Sequence, residues 1–340
     1  MAFEEVIERQ RREAEAIGPE KRAINLLCND APCYTLETIL PVANIGWELR
    51  RIPAEERPAK IEEVHRLLAA VKRKSDAPER IYLWPEGKIP TLTEYTDEKD
   101  YRFNHGPSFA PYMFALLIPE DQTPKGAVVV CPGGDHGSCV LSEGYQTCLD
   151  LNALCYQCFL LLNRPNHNPW SAQEAGVDAS RAIRMVRANA AKYRISPDKV
   201  AYAGFSNGGL TGDACIQYYS GEQTVKETFP DYEPDEYDSY YGAPDAFLCV
   251  YGPRFDGAPY DYSRVKYPPT FFAVGREDPA IKNLNYMVPS LLAHDVPVEV
   301  HTFAGVPHGQ AGIRITGAKP FANFDLWVTL ADAFLTDLWK

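Results

Sequence analysis

From about residue 80 onward the sequence predicts an α/β fold with a mostly parallel sheet and helices on both of its faces. Short apolar runs recur in this part of the chain, and patterns typical of helices lie between them. Such runs are typical of strands buried on both faces, and the alternation is typical of layered α/β folds. The predicted strands are AVVVC (127–131), CFLLLN (158–163), KVAYA (199–203), AFLCVY (246–251), TFFAVG (270–275) and VEVHTFA (298–304).

The clearest helix between these runs covers residues 172–193, where apolar residues recur at helical spacing on one face. A turn, ISPDKV (195–200), then leads into the strand at 199–203. This helix therefore connects two strands, as the predicted fold requires. Its apolar stripe consists of Ala179, Ala182, Ile183, Val186 and Ala190.

Residues 1–78 differ from the rest and predict a helical N-terminal extension ahead of a main domain at 79–340. Helical patterns cover 3–16, about 35–50 and 58–74, and none of them carries a catalytic signature. Because an amphipathic helix buries its apolar face, we expect the extension to pack on the main domain, at a pocket rim or at a homo-oligomer interface.

Residues 217–245 interrupt the alternation with an acidic, tyrosine-rich stretch. Insertions of this kind often cover a pocket, so a cap-like insertion is one interpretation. A solvated excursion on the surface is the other, and the sequence does not choose between them.

Composition excludes some classes of partner. The chain has 340 residues, 45% of them hydrophobic and 24% charged, which is ordinary for a globular protein. Its net charge of −12 argues against nucleic acid as a partner, because phosphate backbones need clustered lysine and arginine. No apolar run approaches the length of a membrane span, and the charged N-terminus does not resemble a signal peptide. We therefore expect no membrane partner and a cytoplasmic location.

The nine cysteines are an odd number in a long chain, and we expect reduced thiols. Cys155 and Cys158 form a CxxC pair inside an apolar stretch. No second ligand pair at metal spacing accompanies it, so we interpret it as a buried structural pair and predict no metal site.

The stretch GFSNGG (204–209) matches the G-x-S-x-G pattern and lies between a predicted strand and a predicted helix. The pattern alone is weak, but this context is that of a nucleophile elbow, a tight turn that exposes the serine hydroxyl. Glycines on either side avoid a collision within the turn, and the helix N-terminus favours developing negative charge. Ser206 is therefore the candidate nucleophile.

Such a serine requires a base and an acid later in the chain, each just after a strand. Asp278 follows the strand TFFAVG, and His308 follows the strand VEVHTFA. The chain order is Ser, Asp, His. Glu277 is a rival to Asp278 as the acid, and Asp278 also suits a helix N-cap before Pro279.

An anion site is expected after an early strand, where Pro132, Gly133 and Gly134 follow AVVVC. Glycines there allow backbone N–H groups to approach an oxyanion. The N–H of Asn207, next to the nucleophile, is the second predicted donor. A tight turn without a catalytic role is the alternative interpretation of this glycine pair.

With these residues in place, the sequence resembles the α/β-hydrolase esterases grouped with bacterial acetyl esterases and acetylxylan esterases. The resemblance runs from about residue 83 to the end, and its longest block, 178–209, contains the serine. It rests on LWPEG (83–87), VCPGGDHG (130–137), SEGY (142–145), DASRAIRMVRANAAKYRISPDKVAYAGFSNGG (178–209), GREDPAI (275–281) and GVPHG (305–309).

The resemblance implies a triad of Ser206, Asp278 and His308, with Gly133 and Gly134 in the oxyanion hole. It implies hydrolysis of short-chain, acetyl-type esters on a small molecule or a carbohydrate, without a cofactor. Asp135 stands where the family usually has a third glycine, which places a carboxylate beside the anion site. Other residues on loops that are candidates for substrate contact are His136, His167 and Trp170.

Two alternatives to an ester hydrolase remain at this point. The same scaffold supports peptidases and thioesterases, because a fold does not fix the substrate. A non-catalytic binding protein that keeps the fold is the second alternative, and the presence of all three triad residue types argues against it.

Overall fold

A computed structural model describes residues 20, 22–49, 52–53, 55–92, 109–134, 140–164, 172–254 and 260–340. Within these residues the strands form one eight-stranded sheet in the order β1-β2-β4-β3-β5-β6-β7-β8. The strands are β1 (Ile81–Tyr82), β2 (Tyr112–Leu116), β3 (Gly126–Cys131), β4 (Tyr156–Leu162), β5 (Val200–Phe205), β6 (Ala246–Val250), β7 (Thr270–Gly275) and β8 (Val298–Phe303).

The sheet is mostly parallel, as predicted. From β4 to β8 every neighbouring pair is parallel, whereas β1 and β2 form an antiparallel edge. Every residue of the central strands β3 to β7 is buried, which accounts for their continuous apolar sequences. In the edge strand β8, by contrast, five of the six residues are half-buried or exposed, and Phe303 is buried.

Helices cover both faces of this sheet. The helix at 207–219 lies on the face that carries Tyr202 and Phe247, because a Cβ on its Gly212 would touch both rings. The last helix lies on the other face, where its Phe334 packs on Phe271. The helices are α1 (Leu36–Leu49), α2 (Arg57–Ala69), α3 (Thr147–Ala153), α4 (Ala172–Ala188), α5 (Ala190–Tyr193), α6 (Asn207–Tyr219), α7 (Val225–Thr228), α8 (Leu284–Leu292) and α9 (Trp327–Leu338).

The described part of the N-terminal extension packs into the same core as the sheet. Residues 22–29 are helical, and α1 and α2 follow. Ile39, Val42 and Leu49 of α1 are fully buried, as is Val64 of α2. Packing of this kind was one of the three expected arrangements. The predicted helix at 3–16 lies outside the described residues.

The segment 217–245, for which the sequence left a cap-like insertion and a surface excursion open, packs against α4. Its second half runs along α4, where Arg181 Nη1 donates to Asp235 Oδ1 at 2.6 Å and Arg184 Nη1 donates to Asp238 O at 2.8 Å. The segment ends where Val200 N donates to Asp245 Oδ2, at the amino end of β5. That edge of the sheet is opposite to Ser206, so the segment is a strap on the flank of α4.

The described cysteines are all free thiols. Cys158 is buried in β4, but Cys155 is only half-buried, in the turn before this strand, where its φ is +69°. The expectation of a buried pair is therefore correct for Cys158 alone. Within the described ranges, no helix has both the length and the apolar character that a membrane span needs.

Candidate active site

Ser206 lies in the tight turn between the last residue of β5 and the first residue of α6. Its φ of +51° and ψ of −121° are strained for a residue with a side chain. A Cβ on Gly204 would lie 2.5 Å from Gly208 O, and a Cβ on Gly208 would lie 2.2 Å from Cys131 O. Both flanking glycines are therefore required by the close approach of β5, α6 and the end of β3.

The three side chains predicted to act together do lie together. His308 Nε2 is 2.9 Å from Ser206 Oγ, and His308 Nδ1 is 2.7 Å from Asp278 Oδ2. Asp278 is buried, with 2% of its surface exposed, whereas His308 is accessible to solvent. The arrangement places a base beside the serine hydroxyl and a carboxylate behind the base.

Asp278 is also the N-cap that the sequence suggested. Its Oδ1 accepts the N–H of Ala280 at 2.8 Å, at the start of a short 3₁₀ turn, Pro279–Asn283. The two interpretations of this residue are compatible because each uses a different carboxylate oxygen. The rival, Glu277, has an exposed side chain, and only its backbone N–H is fixed, by Val306 O at 3.0 Å.

The backbone N–H of Gly133, one of the predicted oxyanion donors, has an acceptor within the protein. It donates to Glu143 Oε2 at 2.7 Å in this structure. Gly133 is also needed for space, because a Cβ there would lie 2.7 Å from Ser206 Cβ. The oxyanion roles of Gly133, Gly134 and Asn207 stay predictions.

Asn207 is suitably placed for this role. It is the first residue of α6, so its N–H has no acceptor within the helix. The positive end of the helix dipole lies at the same point and favours negative charge next to Ser206. Gly134 has a φ of +142°, a conformation that favours glycine.

Two residues near this site carried no catalytic pattern in the sequence. Glu143 is buried and contacts both the turn after β3 and Tyr251, which follows β6. The ring of Tyr251 packs edge-on against His308, with ring centroids 4.9 Å apart. The only signal in the sequence was SEGY (142–145), which supported the family resemblance without giving a role to Glu143.

A buried charged cluster fixes the end of β4, next to one of the predicted substrate loops. Arg164 Nε donates to Asp178 Oδ2 at 2.9 Å, and Arg164 Nη1 donates to Pro90 O at 2.6 Å. Trp84 Nε1 donates to the other oxygen of Asp178, also at 2.9 Å.

The four predicted substrate contacts lie outside the described residues, and they stay predictions. They are Asp135, His136, His167 and Trp170.

Similar proteins of known structure share this architecture. An acetyl ester-xyloside bifunctional hydrolase from Caldicellulosiruptor lactoaceticus is 22% identical, covers 78% of this chain and 98% of its own, and superposes with a TM-score of 0.60. A metagenomic enzyme from the Medee basin, described as an α/β hydrolase, covers 77% of this chain and 97% of its own at 18% identity and a TM-score of 0.55. This chain has the α/β-hydrolase fold. The fold class predicted from the sequence is thereby confirmed.

One further solved structure shares this fold, and a sequence comparison gives a partial match. Esterase 2 from Thermogutta terrifontis is 16% identical, covers 78% of this chain and 96% of its own, and has a TM-score of 0.56. Among curated proteins, endo-1,4-beta-xylanase B from Butyrivibrio fibrisolvens is 28% identical over 162 residues, which is 45% of this chain. The match spans only 23% of that xylanase, and no family model matches the chain.

Proposed function

We propose that this α/β-hydrolase is a serine esterase that cleaves carboxylic esters through an acyl-enzyme intermediate. The observation that carries the proposal is the continuous contact from Ser206 Oγ to His308 Nε2 and from His308 Nδ1 to Asp278 Oδ2. A serine hydroxyl is a weak nucleophile until an adjacent base removes its proton, and this geometry supplies that base.

In the first half of the reaction, Ser206 Oγ attacks the ester carbonyl carbon while His308 Nε2 takes the hydroxyl proton. Asp278 accepts the Nδ1–H and stabilises the imidazolium that forms. The negative charge on the carbonyl oxygen develops near the N-terminus of α6, where the Asn207 N–H is the candidate donor. Collapse of the tetrahedral intermediate breaks the bond to the leaving oxygen, which takes the proton from His308.

In the second half, water replaces the alcohol. His308 removes a proton from the water, whose oxygen attacks the acyl carbon and forms a second tetrahedral intermediate. The bond to Ser206 Oγ then breaks, the serine recovers its proton from His308, and the carboxylic acid leaves. The proposed steps use only these residues, the ester and water.

We propose a short acyl group, acetyl in particular, with a carbohydrate as the alcohol part. The support comes from proteins of the same fold: one is described as an acetyl ester-xyloside hydrolase, and esterase 2 was solved with propionate and with butyrate bound. The partial match to a xylanase also supports a carbohydrate as the alcohol part. The free thiols of the described residues support a cytoplasmic setting.

A panel of p-nitrophenyl esters from acetyl to octanoyl, beside an aminoacyl anilide, tests the reaction and the substrate class. Acetyl esters should give the highest kcat/KM, and Ser206→Ala should lower it on the order of 10⁶-fold. Faster cleavage of the anilide would make the protein a peptidase. A preference for octanoyl would contradict the short acyl group, and a Ser206→Ala variant that retains activity would contradict the mechanism.

A further inference from the structure

One buried carboxylate next to the candidate site has no role in the mechanism above. Glu143 belongs to a π-helical turn, Ser142–Gln146, and only 3% of its surface is exposed. Its Oε2 accepts the Gly133 N–H at 2.7 Å, and its Oε1 accepts the Tyr251 hydroxyl at 2.9 Å. Burial of a charge is costly unless hydrogen bonds compensate for it, so the position of this carboxylate is fixed by those donors.

Tyr251 continues the connection toward the histidine. Its hydroxyl donates to Glu143 and accepts the N–H of Ala311 at 3.2 Å, three residues after His308. Burial raises the pKa of Tyr251 well above its ordinary value and the Glu143 charge raises it further, so the hydroxyl keeps the proton that it donates.

The backbone of Tyr251 is strained, since its φ is +39° although it carries a bulky side chain. The strain lies next to the nucleophile: a Cβ on Gly252, the following residue, would lie 2.3 Å from Ser206 O. Its ring is held between His308, with centroids 4.9 Å apart, and Phe324, at 5.9 Å. Strained residues persist where their surroundings fix them, and they concentrate at functional sites.

The two ends of this connection reach the two halves of the candidate site. At one end, a point corresponding to a Cβ on Gly133 is 2.7 Å from Glu143 Oε2 and 2.7 Å from Ser206 Cβ. Glu143 Oε2 and Ser206 Cβ are therefore close to each other, since they can be no farther apart than these two distances added together. At the other end, Ala311 anchors the loop that carries His308. Because β3 and this loop are far apart in sequence, their relative position depends on contacts of this kind.

We propose that Glu143 and Tyr251 act as one positioning pair that holds the turn after β3 and the His308 loop in register with Ser206. This inference rests on the proposed esterase function and deepens it. Neither side chain takes a proton or touches the substrate in this scheme. The pair affects the chemical step, since a displacement of about 1 Å between reacting groups costs on the order of 100-fold in rate.

Two variants and their combination test this pair. Tyr251→Phe removes the hydroxyl but leaves the ring on His308, and Glu143→Gln removes the charge at nearly unchanged volume. Each should lower kcat for p-nitrophenyl acetate by about 10-fold to 100-fold and leave KM within about twofold. Because the two residues act as a unit, the double variant should be no slower than the slower single variant by more than about twofold.

The matched control is Tyr156→Phe. Tyr156 is also fully buried, and its hydroxyl donates to the Asp332 carboxylate at 2.8 Å, at the amino end of β4 and thus at the edge opposite to Ser206. The melting temperature of the Tyr156→Phe variant should fall about as much as that of Tyr251→Phe, and its kcat should stay unchanged. This control separates loss of stability from loss of positioning.

The outcomes also separate this inference from the proposed function. If the wild-type protein cleaves no ester, the proposed function fails and the pair has no reaction to position. If the wild type is active and both single variants have the kcat of the wild type although their melting temperatures fall, the positioning pair alone is contradicted. Strictly additive losses in the double variant would also contradict it, because they would show two independent effects.

Discussion

Asp278 shows how a single side chain sets the chemistry of its neighbour. One carboxylate oxygen is held by the Ala280 N–H, and the other receives His308 Nδ1 at 2.7 Å. Because Asp278 is an acceptor, the proton of the neutral imidazole lies on Nδ1, and Nε2 is left to accept the proton of Ser206. Burial of the carboxylate strengthens this orientation, since water does not compete for it.

At this scale we predict that Asp278→Asn lowers kcat/KM for p-nitrophenyl acetate on the order of 10⁴-fold, because an amide at this position favours the wrong tautomer of His308. Glu277→Gln is the matched control, one residue away and exposed, and should stay within about twofold. The assay is initial-rate kinetics on both variants, with circular dichroism to confirm folding. The reverse ranking of the two variants would transfer the role to Glu277.

The order and position of Ser206, Asp278 and His308 are readable in the sequence because each follows a strand in a fixed topology. The role of Glu143 is not readable in the same way. Its two partners, Gly133 and Tyr251, lie 10 and 108 residues away along the chain, and no local sequence pattern marks a residue that accepts a distant backbone N–H. The same limit explains why the hydrogen bond between the Gly133 N–H and Glu143 was not predicted.

Among the elements, α4 organises a whole flank of the protein. Three arginines at positions 181, 184 and 187 lie on one side of this helix and bind the strap, as i, i+3 spacing allows. Arg187 is buried, donates to Asp245 Oδ2 at 2.7 Å and also donates to Ala243 O. The Arg181 guanidinium lowers the pKa of Asp235, so this carboxyl stays ionised at neutral pH.

We therefore predict that Arg187→Met lowers the free energy of unfolding by about 3 kcal/mol, the lower end for breaking a buried ion pair, since Asp245 keeps some contact with water. Arg264→Met is the control, because the Arg264–Glu227 pair is exposed, and it should cost at most about 1 kcal/mol. Urea denaturation measures both. A strap on the flank also predicts unchanged KM, and a raised KM at full stability would indicate a cap instead.

The strands β3 to β8 were predicted to within two residues, because most of them are continuous apolar runs that suit the middle of a sheet. The antiparallel strands β1 and β2 were not predicted. The predicted run 270–275 coincides with β7, and 199–203 overlaps β5 at Val200–Phe205. The insertion at 217–245 was also recognised, but not where it packs. Its position depends on which charged face of α4 is free, and that follows only from the assembled layers.

At the scale of the whole molecule, the N-terminal extension connects distant parts of the chain. Asp30 accepts the Tyr112 hydroxyl of β2 at 2.7 Å and forms an ion pair with Arg80. In α1, Asn44 Nδ2 donates to Thr316 O at 3.3 Å, in the region that follows the His308 loop. The extension thus supports both the antiparallel edge of the sheet and a segment close to the candidate site.

Deletion of residues 1–74 should therefore expose apolar surface and give a protein that aggregates or melts at least about 10 °C lower. Within the full chain, Val64→Asp introduces a charge at a fully buried position of α2 and should destabilise in the same way. Glu62→Gln, on the exposed side of α2, is the control and should stay within about 0.5 kcal/mol. A truncated chain with parental melting temperature and full activity would make the extension a detachable appendage.

The central claim is that Ser206 is a nucleophile activated by His308 and Asp278. Its most direct test is intact-protein mass spectrometry, with peptide mapping, after incubation with a p-nitrophenyl organophosphate such as paraoxon. The account predicts one phosphoryl adduct per chain, located on Ser206, formed slowly in Asp278→Asn and absent in Ser206→Ala. An unmodified wild-type protein, or an adduct that persists in Ser206→Ala, would contradict it.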